Sequence, residues 1–389
     1  MKKVLLTGAA LLMMAAAYAQ TNTATLSQSG TGNGATLDQT GADQTVTVSQ
    51  TGTGNTATTE QTSDYQQEIV ITQTGDDNTA SAYQNLQAGP GNLITISQSG
   101  SGQTATADQS DFFTIDATTT ITQTGENNTA TVNQAGTGAD LDGAIGSIAT
   151  ITQNGVGPGN TASITQTNST DDEAVINQDG QLNDATVTQT GDNNYAFISQ
   201  VSVFGPQTAT INQDGSDNEA FIYQEAQAGP NNVATVDQVG DGNYAYINQS
   251  DLFTIGATAT ITQTGNDNDA LIDQLDAIGS EATITQTGDG NYAYVQQNVL
   301  SDNNTATVTQ TGNDNEARLL QTLGNDNVAT ISQDGDANIV EGLGGAGSFA
   351  LQSGDLNTMT ITQTGVGGLV QIEQVGTANT ATIVQSNNP

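Results

Sequence analysis

The sequence predicts an all-β fold, a β-solenoid of stacked two-strand coils (strand, turn, strand, with cross-β spacing), and three observations predict it. A short motif recurs along almost the whole chain, its amide and apolar positions alternate with polar ones, and Gly/Asn turn signals separate the copies. Composition removes the ordinary alternatives. Aromatic residues are 4% of the 389 residues, and Trp and Cys are absent, so a conventional core would be hard to fill. Polar, acidic, Gly-rich chains of this kind often stay disordered. Periodicity is what argues for order here.

The first segment is not part of the repeat. Met1-Lys2-Lys3 is followed by an apolar run to Ala17 and a small-x-small site, Ala17-Tyr18-Ala19, before Gln20. This reads as a cleaved secretory signal peptide over residues 1–19. The apolar run is too short for a membrane span, and no membrane insertion is expected. Cleavage would leave 41 acidic residues against Arg318 alone, a net charge of 1 − 41 = −40. Such a polyanion is a poor ligand for nucleic acid or anionic lipid, because both are bound by neutralising phosphates with Lys and Arg. With no cysteine, disulfides cannot hold the fold.

Residues 20–385 read as one tandem repeat, Asn-x-Ala-x-φ-x-Gln-x-Gly with φ aliphatic, and residues 386–389 as a short polar tail. The anchor glutamines are Gln28, Gln39, Gln50, Gln61, Gln73, Gln84, Gln98, Gln109, Gln123, Gln134, Gln153, Gln166, Gln178, Gln189 and Gln200. They continue as Gln213, Gln224, Gln238, Gln249, Gln263, Gln274, Gln286, Gln297, Gln310, Gln321, Gln333, Gln352, Gln363, Gln374 and Gln385. Of the 29 intervals between them 16 are 11 residues, the length of one strand plus one turn.

Within a unit, Asn, Ala, φ and Gln fall at alternate positions and so share one face of a strand, while Thr, Ser, Asp and Tyr take the other. Gly-x-x-Asn stretches such as Gly191-Asp192-Asn193-Asn194 are turn chemistry, because Gly and Asn tolerate positive φ. Two strands and two turns make a coil. One coil cannot bury its apolar face, but stacked coils can.

The expected core is a column of Ala and φ side chains: Ala80, Ile121, Ile151, Ala196, Ile198, Ile211, Ile222, Ile247, Ile261, Ile272, Ile284, Leu319, Ile331, Ile361 and Ile383. The glutamines, with Asn78, Asn194, Asn218, Asn243, Asn268, Asn291, Asn315 and Asn379, are expected to form side-chain amide ladders at about 4.8 Å spacing. Thirty strands make about 15 rungs, roughly 70 Å of stack. No polar capping repeat is recognisable, so both end rungs are expected to be uncapped and to present open strand edges.

A larger duplication is superimposed. Tyr83 to Gln134 aligns with Tyr223 to Gln274 at an offset of 140 residues, and repeats Gln87-Ala88-Gly89-Pro90 as Gln227-Ala228-Gly229-Pro230 and Ser110-Asp111-Phe112-Phe113 as Ser250-Asp251-Leu252-Phe253. The long intervals in this block are expected to bulge from one edge of the stack. The stretch 334–351, with Gly342 to Gly347, reads either as a loop or as a degenerate strand.

The unit Gln189-Thr190-Gly191-Asp192-Asn193-Asn194-Tyr195-Ala196-Phe197-Ile198-Ser199-Gln200 resembles the curlin repeat of bacterial curli subunits, and the resemblance extends along nearly the whole chain after residue 20. It implies a structural subunit of secreted, curli-like extracellular amyloid fibres at the bacterial cell surface, serving biofilm matrix and adhesion. It also implies the partners of such a subunit: other copies of itself in a homopolymeric fibre, a nucleator subunit, an outer-membrane secretion pore and a periplasmic chaperone.

Other chemistry finds little material. There is no His or Cys, and acids such as Asp214, Asp217 and Glu219 read mostly as turn residues, so no catalytic residues and no enzymatic activity are expected. No cofactor and no obligate metal site is expected. Turns such as Gly240-Asp241-Gly242-Asn243 offer oxygen ligands, and weak Ca²⁺ binding by acidic turns is conceivable. Stacked carboxylates at about 4.8 Å would repel by about 0.9 kcal/mol per pair in water. The alternative to a fibre subunit is a monomeric ice-binding or calcium-binding β-solenoid or adhesin. Thr-x-Thr stretches such as Thr258-Ala259-Thr260-Ile261-Thr262 would form flat threonine faces, which Tyr195, Tyr244 and Tyr292 are expected to interrupt. Those tyrosines, with Phe197, Tyr246 and Tyr294, read as exposed aromatic patches.

Overall fold

The computed structural model describes residues 21–85, 89–110, 114–134, 143–155, 157–202, 205–226, 231–250, 254–298 and 301–387. The expected signal peptide lies outside the described residues, as do residues 388–389 of the polar tail and, from the duplicated block, Gln87, Ala88, Asp111, Phe112, Phe113, Asp251, Leu252, Phe253 and residues 227–230. Every secondary-structure element among the described residues is a β-strand. The chain divides into two compact units, Met1–Asp172 and Glu173–Pro389.

In each unit the chain alternates between two parallel sheets, so that a strand pairs with the next strand but one. In the first unit Gln44–Thr53 lies between Thr23–Thr31 and Gln67–Asp76, while Thr56–Ser63 pairs with Gly34–Gly41 and Thr79–Asn85 in the opposite sheet. Both sheets are in register, motif position on motif position: Gln50 pairs with Gln73, and Ala57 with Ala80. The second unit repeats the scheme, with Ala196 on Ala220 and Ile198 on Ile222. The described strands make six rungs in the first unit and nine in the second, in line with the expected count of about fifteen. The fold is a β-solenoid.

Alternation of side chains decides what is inside. Thr258–Thr264 shows the rule, with Ala259, Ile261 and Gln263 buried and the threonines between them facing out. Ala and Ile stack into a narrow core between the sheets, all of it fully buried away from the end rungs. Each buried Ile contributes about 1.5–3 kcal/mol before chain entropy is counted. At the outermost rungs Leu26 and Ile383 are only half-buried, because no further rung covers them.

The turns differ from the sequence reading in one detail. Positive φ falls on the first and third residues of Gly-x-x-Asn, as at Gly240 (115°) and Gly242 (67°), or Gly215 (134°) and Asp217 (56°), and the terminal Asn keeps a negative φ. That Asn is needed for its side chain instead. Gly240 is also required sterically, because a Cβ there would stand 2.1 Å from the Gly265 carbonyl oxygen of the next rung.

The stretch 334–351 resolves as both options at once. Ile339–Glu341 and Ala350–Ser353 are two halves of one strand: Ala317 pairs with Val340, and Leu319 with Ala350. Gly342 to Phe349 form a loop inserted in the middle of that strand.

Candidate functional site

The repeat places four inward side chains per strand, and the two amides bracket the apolar pair. Their bonds run along the stack. In one sheet of the second unit Gln189 Nε2 donates to Gln213 Oε1, Gln213 to Gln238, Gln238 to Gln263, Gln263 to Gln286 and Gln286 to Gln310, each at 2.9 Å. That ladder continues through Gln333 and Gln363 to Gln385. The opposite sheet carries a second, from Gln178 through Gln200, Gln224, Gln249, Gln274, Gln297, Gln321 and Gln352 to Gln374. The first unit has the same pair, Gln28 to Gln153 and Gln39 to Gln166. The second Nε2 hydrogen caps backbone carbonyls at the rung corner, as Gln213 does at Tyr195 and Asn218. A buried primary amide is thereby satisfied without water.

The asparagine ladder runs in the opposite direction. Asn218 Nδ2 donates back to Asn194 Oδ1, and Asn243, Asn268, Asn291 and Asn315 continue it at 3.0 Å each. In the first unit Asn78 donates to Asn55 in the same way. Asn379 is exposed on the last rung, and its backbone N–H donates to Asn357 Oδ1. Both kinds of ladder are polar. Along every glutamine ladder the acceptors point to the N-terminal end and the donors to the C-terminal end.

At several departures from the motif a buried polar group is left unsatisfied. Gln67 and Gln207 stand at asparagine positions, and their buried side-chain amides have no partner. Gln44 and Gln103 carry the same extra methylene at asparagine positions, and their Nε2 groups still donate to backbone carbonyls while their oxygens stay unpaired; at Gln67 and Gln207 the whole amide is left without a partner. Thr59 occupies an aliphatic position, fully buried, and its Oγ1 is likewise unpaired.

The two outer faces of the second unit are different surfaces. On one sheet a single column reads Thr186, Thr210, Thr235, Thr260, Thr283, Thr307, Thr330, Thr360, Thr382 without interruption. Tyr195, Tyr244 and Tyr292 do not interrupt it, contrary to the sequence reading. They belong to the other sheet, because successive strands alternate between sheets. There the column is Glu173, Tyr195, Glu219, Tyr244, Asp269, Tyr292, Glu316, acid and tyrosine in strict alternation over seven rungs.

Beside that column lies a second aromatic row, and rings of neighbouring rungs touch: Tyr195 with Phe221 at 5.4 Å and Phe221 with Tyr244 at 5.8 Å between centroids. Burial, then the carboxylates of Asp269 and Glu219, raise the Tyr244 phenol above its ordinary value. Tyr246 is pushed up to about 12, first by burial and then by Asp273. Burial likewise raises the Asp269 carboxyl, against the pull of Arg318. Arg318 lies with its guanidinium carbon 4.3 Å from the centre of the Tyr292 ring, its Nε donating to Glu316 at 2.7 Å and a terminal nitrogen donating to the Tyr292 hydroxyl at 3.1 Å.

The turns show the same alternation. From Gly191 to Asn338 each Gly-x-x-Asn turn on this edge of the second unit carries one carboxylate, and it switches columns at every rung: Asp192, Asp217, Asp241, Asp267, Asp289, Asp314, Asp336. The expected face-to-face stacking of carboxylates is therefore not what forms. Within one column the spacer is Asn or Ser, and its backbone N–H joins a turn ladder, as Asn266 N donates to Asp289 Oδ1 at 2.8 Å. Asp214 and Glu219, read from sequence as turn residues, are strand residues that face outward. Among the described residues no group of three or more His, Cys, Asp or Glu side chains converges to hold a metal ion, and no helix is long and apolar enough to cross a membrane.

In-register parallel rungs joined by amide ladders define a class of protein, the repeat solenoid whose interior is built like cross-β structure. The repeat itself is the curlin associated repeat, whose profile matches residues 21–52, 170–201, 229–251, 301–335 and 324–365. The chain thus carries curlin associated repeats at five places along its length. No curated protein matches it.

Proposed function

We propose that this chain is the structural subunit of a curli-like extracellular fibre, growing by addition of one solenoid to the end of another. The polarity of the glutamine ladders carries the proposal. The rung of Thr23–Thr31 and Gly34–Gly41 presents the amide oxygens of Gln28 and Gln39, and the rung ending in Gln374 and Gln385 presents amide nitrogens. These two edges are complementary, and both carry half-buried apolar side chains and parallel strand edges that a further rung would satisfy. Head-to-tail contact would then repeat the contacts between rungs within one chain. The repeat family supports the same reading. It brings with it, as part of the proposal, export to the cell surface through an outer-membrane pore with a chaperone, a nucleator subunit, and a matrix or adhesive role for the fibre. Cations such as Ca²⁺ would act only by screening the acidic turns.

Incubation of the purified chain, followed by electron microscopy and fibre diffraction, tests this reading. Unbranched fibres with a meridional spacing of about 4.8 Å are expected. The uninterrupted threonine column favours a second reading, a monomer that binds ice through that flat face. Stable monomers that produce thermal hysteresis would support it and remove the fibre.

A further inference from the structure

The acid–tyrosine column on the second unit has a chemistry that charge spacing alone does not explain. In the acidic turns the residues between carboxylates within a column are Ser, Asn or Gly, small polar spacers. In the column from Glu173 to Glu316 all three spacers are Tyr. Each tyrosine thus offers an aromatic ring, a hydroxyl acceptor and a carboxylate on the rungs before and after it. That is the set of partners a guanidinium takes: a π surface for its plane and oxygen acceptors for its N–H fork.

One such position is already filled from within the chain. Arg318, the one arginine of the sequence, lies over Tyr292 and donates to Glu316 and to the Tyr292 hydroxyl. Tyr195, between Glu173 and Glu219, and Tyr244, between Glu219 and Asp269, have the same flanking acids and no cation; Phe221 packs against both rings, at Tyr195 from the register position that Arg318 takes beside Tyr292, so an incoming guanidinium would meet the outer edge and hydroxyl of each ring.

We propose that this column is a docking surface for arginine side chains of an extended cationic partner chain, one guanidinium per tyrosine. Charge complementarity selects the partner's sign, and the Arg318 contact selects arginine over lysine. The column also sets a spacing. Tyrosines recur every two rungs, about 9–10 Å apart. A polyproline II segment advances about 9.3 Å in three residues and returns to the same face. A partner with arginine at every third residue would therefore match the column without strain. The site belongs to the folded second unit, so it is independent of whether the chain polymerises.

The test uses the full chain and a fluorescent peptide of three Arg-Pro-Pro repeats, read by anisotropy, against the Lys-Pro-Pro counterpart. The arginine peptide is expected to bind at least tenfold more tightly than the lysine peptide. The Tyr195→Ser/Tyr244→Ser variant should lose about tenfold for arginine only. The isosteric Glu219→Gln variant should lose severalfold, which guards against misfolding of the tyrosine variant. Arg318→Ser should tighten the arginine peptide severalfold by opening the Tyr292 position. Equal binding of the two peptides would reduce the surface to bulk negative charge and overturn the proposal. So would arginine binding indifferent to the tyrosines, or a neutral glucan that binds through them while the arginine peptide does not.

Discussion

A buried glutamine is tolerable only when both amide hydrogens and the carbonyl oxygen find partners, and the repeat arranges that at nearly every rung. The exceptions are informative because the same geometry fails there by one atom. Thr59 carries a hydroxyl where its column needs a methyl, and Gln207 carries one methylene too many. Thr59→Val and Gln207→Asn should each stabilise the folded chain by about 1 kcal/mol, seen as a higher urea midpoint with an unchanged slope. The converse change, Gln263→Leu, leaves a donor on Gln238 and an acceptor on Gln286 without partners and should cost about 3 kcal/mol.

Tyrosine ionisation is a further residue-scale test. Tyr246 has its proton held to about 12 in the fold, against about 10 when unfolded. The folded state therefore binds more protons between those values, and its contribution to stability, full below pH 10, is lost as pH rises to about 12. Tyr246→Phe should remove that part of the alkaline loss. At this scale the sequence was legible for the amides and the core, since a period of two fixes which residues point inward. It was silent on failure, because Thr59 and Gln207 look conservative until their neighbours in the stack are known.

Strands and turns were legible from the motif, but their partners across the stack were less so. A strand pairs with the next but one, so columns on the outside emerge only when alternate repeats are superimposed. Read in chain order, Tyr195 and Thr210 belong to one pattern, whereas in the structure they lie on opposite faces. The alternation of carboxylates has the same origin. Stagger takes neighbours within one column from about 4.8 to about 9.6 Å, lowering their repulsion from about 0.9 to about 0.4 kcal/mol in water. Asn266→Asp would set a third carboxylate between those of Asp241 and Asp289 in one column while keeping the oxygen that accepts the Asp241 N–H. It should destabilise the fold by about 0.5–1 kcal/mol at low salt, and high salt should erase the loss.

The inserted loop gives an element-scale prediction of another kind. Removing residues 342–349 would join Glu341 to Ala350 and restore the sequence Asn338-Ile339-Val340-Glu341-Ala350-Leu351-Gln352, an uninterrupted repeat. The deletion should fold with stability within about 1 kcal/mol of the intact chain, since closing a loop of this length costs little. Loss of folding would show that Gly342 to Phe349 support the strand.

At the scale of the whole molecule, the expected acidic polyanion without disulfides or a large core is held by repetition. Each rung is a template for the next, and the same property makes the outermost rungs places where addition would continue. The ladders add a direction to that growth, oxygens at one edge and nitrogens at the other. Elongation of preformed fibre seeds by monomer measures this most directly, with Leu26→Asp and Ile383→Asp placing a charge in the two end rungs and Thr307→Asp placing the same charge on an interior rung's outer face. The end variants are expected to slow elongation at least tenfold and the face variant to elongate as the parent chain does. End variants that elongate at the parental rate, or a face variant slowed as much as they are, would contradict growth through the ladder ends.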